Sequence, residues 1–131
     1  VVKAVLLDGE ARQAPAAAPP GWGKLREPMI RCVQWARTFG ATSNDGAWIM
    51  WDKSDPSTSL GQSPLRSPSV FNFFRPGYVP PNTALAAGGQ TAPEFQITNE
   101  SSVAGYVNFM EGAIAYGIYG NKTSKVWVEE G

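Results

Sequence analysis

The sequence predicts a mainly α fold: a small helical domain with long irregular loops rich in proline, glycine and aromatic residues. Three observations predict it. Two stretches, REPMIRCVQWARTFGA and TNESSVAGYVNFMEGAIAYG, repeat apolar residues at helical intervals. A third, VVKAVLLDGEAR, does so over a shorter span. Between them, eleven prolines and fourteen glycines in 131 residues punctuate the chain, while five tryptophans argue against disorder.

In chain order, Val2, Val5 and Leu6 share one face of a first helix, about residues 1–13, with Lys3 and Glu10 outside. A Pro/Ala loop over 14–24 follows, because its prolines forbid helix, and its Trp22 is expected to pack back on the fold. A second helix spans about 27–39. Pro28 suits its first turn, Glu27 its positive end and Gly40 its stop. Met29, Cys32, Val33, Ala36 and Phe39 form its apolar stripe; Trp35 lies beside the stripe, either widening the buried face or meeting a further segment.

Residues 41–97 read as irregular aromatic loops. TSNDG is turn chemistry, and AWIMW suits either a buried strand or a loop plug. In SPSVFNFFRPGYVPP, Ser67 and Pro68 are expected to open a short helix that Arg75-Pro76-Gly77 ends. Val70, Phe71, Phe73, Phe74 and Tyr78 are then expected to plug the space between the flanking helices. A last helix, about 99–116, is capped by Asn99 or Thr98, and Val103, Tyr106, Val107, Met110, Ala113 and Ile114 form its apolar face. Gly105, Gly112 and Gly117 each weaken a helix by up to about 1 kcal/mol relative to alanine, a cost that close crossing by another element would explain. Residues 117–131 form a tail.

Composition excludes several classes of function. Basic and acidic residues balance at eleven each without a basic stripe, which leaves no footprint for nucleic acid or an anionic membrane. No apolar run is long enough for a transmembrane segment. The absence of histidine removes the usual general base and rules out a Ser–His or Cys–His nucleophile pair within this chain. Cys32, the single cysteine, allows no internal disulfide and reads as a buried, inert thiol on a helix face. Asp45, Asp52 and Asp55 miss the alternating spacing of a calcium loop, so no metal and no cofactor is expected. Two glycosylation sequons, at Asn99 and Asn121, read as chance occurrences.

The candidate binding residues are Arg66, Arg75 and Glu94, with Trp48 and Trp51; no catalytic residue is assigned. In a functional reading an arginine binds an anionic group, a carboxylate acts as base, and the two tryptophans form a platform for a sugar ring. In the local reading, which the sequence favours, charges such as Arg26, Glu27, Glu94 and Glu100 cap helices and tie loops to them. The tryptophans then anchor an irregular loop.

GKLREPMIRCVQWART, SLGQSPLRSPSVFNFFRPGYVPP and APEFQITNESSVAGYVNFM, in that order, resemble the C-terminal part of the bacterial family named domain of unknown function 1800. VVKAVLLDGEAR resembles the helix that precedes them there, so the likeness runs from Val1 to about Ile114. The resemblance implies a fragment of a larger all-α protein, exported to the periplasm or beyond, and the abrupt ends of the chain agree with a fragment. It implies no reaction, cofactor or catalytic residue. The chain alone is therefore not expected to be an enzyme. It reads as a non-catalytic structural or binding portion of an exported envelope protein. Its partner would be the remainder of the parent chain, or another copy across an exposed apolar face. The alternative is a segment completing the active site of a larger hydrolase-like enzyme whose main catalytic residues lie upstream.

Overall fold

The computed structural model describes residues 1–12, 23–120 and 123–128. Trp22, most of the expected Pro/Ala loop and the sequon at Asn121 lie outside the described residues. The first helical stretch is two short helices, α1 (Val2–Leu7) and α2 (Gly9–Arg12), with the chain extended at Asp8 (φ −61°, ψ 140°). Aspartate and glycine are poor helix formers, and together they favour a turn. Val2, Val5 and Leu6 stay exposed.

Helix α3 (Pro28–Thr38) starts on its proline. It closes through Gly40 at φ 63°, with the Ala41 N–H reaching back to the Ala36 carbonyl at 2.7 Å. Its first turn is held by a residue far along the chain. The fully buried Gln62 accepts the Met29 N–H through Oε1 (3.2 Å) and donates through Nε2 to Glu27 (2.8 Å). Beyond α3 lie a four-residue helix, α4 (Ala84–Ala87), a 3-10 turn at Pro93–Ile97 and the long helix α5 (Glu100–Tyr116). A reciprocal capping box opens α5: Asn99 accepts the Ser102 N–H (3.0 Å) and Ser102 Oγ accepts the Asn99 N–H (2.9 Å).

The expectation of a mainly α fold is wrong. Three short strands, β1 (Thr42–Ser43), β2 (Ile118–Tyr119) and β3 (Lys125–Trp127), form an antiparallel sheet in the order β1-β3-β2. Ser43 pairs with Val126, and Val126 with Ile118. Ile118 and Val126 are buried, so residues expected as a tail supply one wall of the interior. The architecture is mixed: helices, a small sheet and much irregular chain. Strands of two or three residues are too short to show an alternating pattern, and the sequence could not announce them by periodicity.

The core is small. Cys32 of α3, Leu60, Ala113 of α5 and Ile118 of β2 cluster together, with Trp35, Tyr106 and Phe109 packed against them. Trp35 therefore widens the buried face of α3, whereas Val33 and Phe39 are exposed. The Arg31 guanidinium lies 4.2 Å from the Tyr106 ring centre, joining α3 to α5 by a cation–π contact.

The proline-aromatic stretch also differs from expectation. No helix forms at Ser67–Phe74; instead Asn72 (φ 67°) closes a tight turn by donating its N–H to the Ser69 carbonyl at 3.1 Å. Val70 and Phe71 are the central residues of that turn and point outward, while Phe73, Phe74 and Tyr78 are half-buried. Asparagine tolerates the left-handed backbone that continuing a helix would not have needed. AWIMW is irregular and largely exposed.

The turn after β1 is tied to β3 by polar side chains. Asn44 accepts the Lys125 N–H (2.7 Å) and donates to the Thr123 carbonyl (2.6 Å). Asp45 accepts from the hydroxyls of Ser124 (2.5 Å) and Ser43 (3.1 Å) and from the Ala47 N–H (3.0 Å). These bonds, that from Ser124 foremost, hold the Asp45 carboxyl below its ordinary value of 3.8. A carboxyl lowered in the folded state stabilises the fold fully above its unfolded value and loses that contribution as pH falls through the folded one. Asp52 and Asp55 are lowered in the same sense, chiefly by the Ser54 and Ser57 hydroxyls. The thermal midpoint should therefore fall as the pH drops below the ordinary carboxylate range, and less steeply in Asp45→Asn. A pH series of thermal melts checks both; identical profiles for Asp45→Asn and the parent would refute the Asp45 contribution.

Candidate functional site

An apolar cavity of about 580 Å³ lies between α3 and the sheet. Helix α3 supplies Cys32, Val33, Ala36 and Arg37, all on one side because they recur at helical spacing. Ile118 and Val126 form the sheet side, and Trp48 and Met50 of the irregular segment close the third wall. Such a volume falls within the range of small-molecule sites, about 300–1,000 Å³. Arg37 is the only charged residue in the lining. Burial pushes the Cys32 thiol up, with the Lys53 charge opposing, so the thiol stays protonated and unreactive near neutrality.

The candidates named from sequence are scattered. Trp48 is on the cavity wall, 62% exposed; Trp51, 61% exposed, is not part of that lining, so the structure does not assemble the two as one wall. Arg66 pairs with Asp52 at 3.6 Å, both at the surface. Arg75 donates its backbone N–H to Gln96 Oε1 at 2.7 Å. Glu94 is buried and meets Lys24 at 3.5 Å, beside a separate hollow lined in part by Leu85, Thr91 and Phe95. The ion pairs thus engage Arg66 and Glu94 locally, with different partners. Among the described residues no three His, Cys, Asp or Glu side chains gather to hold a metal, and no helix is long and apolar enough to cross a membrane.

A family model described as a protein of unknown function (DUF1800) matches residues 1–129. The chain belongs to the DUF1800 family. No curated protein and no solved structure matches it.

Within this DUF1800 chain, sequence reasoning missed Arg37, Met50, Ile118 and Val126 as parts of a site. A usable signal existed for the strands: IYGNKTSKVWV sets β-branched and aromatic runs on either side of a Gly-Asn dipeptide, a hairpin pattern. Arg37 carried no such mark, because its role follows from what the sheet places opposite it.

Proposed function

We propose that this chain is a non-catalytic structural or binding portion of an exported bacterial envelope protein, a module that docks through apolar surface on the remainder of a longer chain. The observation that carries the reading is the double apolar character of α5. One face, with Gly105 and Ala113, is buried; a neighbouring stripe of Val103, Val107 and Ile114, each 47–57% exposed, runs at intervals of four and seven. Apolar residues at that spacing form the seam that a helix presents to another element. A monomeric surface seldom leaves such a stripe uncovered. The local partners of Arg66 and Glu94 further support a structural use of those charges.

Export rests on family resemblance and is part of the same test. A photo-reactive residue at Val107 in the full-length protein, expressed in a bacterial host, should cross-link to the same polypeptide or to a second copy, in the periplasmic or extracellular fraction. Failure to cross-link to either, or recovery in the cytoplasm alone, would overturn the reading. A hydrolase activity of the full-length protein that is lost in both Arg75→Ala and Glu94→Ala would favour completion of an upstream active site instead.

A further inference from the structure

We infer that the cavity between α3 and the sheet binds a single-chain apolar molecule with an anionic head, of the fatty-acid class, with Arg37 meeting the carboxylate. The walls are mostly hydrocarbon, thiol and thioether, chemistry that offers dispersion contacts, with the Arg37 guanidinium and the Trp48 indole N–H as the side-chain hydrogen-bond donors of note. A sugar or nucleotide would leave its hydroxyls unsatisfied against such walls. An acyl chain loses nothing there.

Charge selects among apolar ligands. Arg37 is the one charged side chain on the lining, and among the described residues its guanidinium has no carboxylate partner, the ion pairs being Lys24–Glu94 and Arg66–Asp52. It sits in the last turn of α3, where the backbone carbonyls repel an anion. A carboxylate there depends on the guanidinium for its charge compensation, which makes Arg37 the main point of head-group recognition. Its planar fork matches a carboxylate, and its exposure places the head at the mouth while the chain lies inward.

The inference names a ligand for the binding portion proposed above, and so rests on that reading. The two remain separable in experiment, since Val107 on α5 is not among the cavity residues. Isothermal titration of the whole chain with decanoate and dodecanoate, below their micelle concentrations, should show one saturable site. Each methylene should tighten binding about fourfold, so dodecanoate should bind about fifteenfold more tightly than decanoate. Arg37→Gln, with an unchanged circular dichroism spectrum, should weaken dodecanoate about fivefold and leave the neutral 1-decanol unaffected. No saturable binding of dodecanoate would overturn the inference. So would an affinity insensitive to chain length, or an equal loss for acid and alcohol in Arg37→Gln. None of these results alters what cross-links at Val107.

Discussion

Replacing Gly105 by alanine is expected to destabilise the fold by about 2 kcal/mol, although alanine is the better helix former. Gly105 is buried in the middle of α5, where the segment Pro56–Ser57 crosses the helix backbone to backbone. A Cβ built at Gly105 would stand 2.7 Å from the Ser57 carbonyl carbon and 2.8 Å from its oxygen, and nearer still to the Pro56 carbonyl oxygen. These are main-chain atoms and cannot rotate away. Either the loop or the helix must shift. Alanine recovers up to about 1 kcal/mol of helix propensity, while overpacking of this kind costs about 1–3 kcal/mol, and contact on backbone places it at the upper end. Gly112 of the same helix is the internal control, since a Cβ there meets nothing within 4 Å. Gly112→Ala should stabilise by about 0.5–1 kcal/mol. Chemical denaturation of both variants decides the matter; a stabilised Gly105→Ala would mean that the Pro56–Ser57 segment gives way to the added methyl at little cost.

That pair of glycines also shows what the sequence could and could not convey. The cost of three glycines in one helix pointed to close crossing, and the structure assigns such an approach to Gly105 and Gly117 but not to Gly112. Helices α3 and α5 were legible because Pro28, Gly40 and Asn99 mark ends chemically and the apolar rhythm marks their middles. Which apolar residues face inward was not legible in full. Val33 and Val107 belong to the predicted stripes and are exposed, whereas Trp35, outside its stripe, joins the core. Periodicity defines an arc of a helix; the neighbours available decide which part of the arc is covered. The sheet was hidden for a different reason. Its strands are too short for an alternating periodicity, so β2 and β3 were marked only by the turn residues between them, and β1 is separated from its partner β3 by more than eighty residues of chain. The cavity inherits that difficulty, since Ala36, Met50 and Val126 come together only after the sheet has formed.

The same dependence on the sheet makes Gly117→Ala the more damaging of the two substitutions, with an expected loss of about 3 kcal/mol. Gly117 ends α5, its N–H still bonded to the Ala113 carbonyl at 2.9 Å, and turns the chain directly into β2 at Ile118. It does so at φ 79° and ψ 176°, a backbone conformation open almost solely to glycine, so a side chain adds about 1–3 kcal/mol of strain. A Cβ would also lie 2.7 Å from the Val126 carbonyl oxygen and 2.8 Å from the Trp127 Cβ, against the central strand. Lys125 Cε, at 2.7 Å, is the end of a flexible side chain and can move; the β3 backbone cannot without parting from β2. Relief by backbone rotation would move Ile118, which serves both the core and the cavity. The loss should lower the thermal midpoint by about 10 °C or more. It should also remove exchange protection at Val126 before the amides in the middle of α3 are affected, because α3 is held by Gln62 and its own hydrogen bonds. An alanine variant with an unchanged midpoint would show that the corner relaxes freely, and one whose α3 amides exchange first would place the weak point of the fold elsewhere.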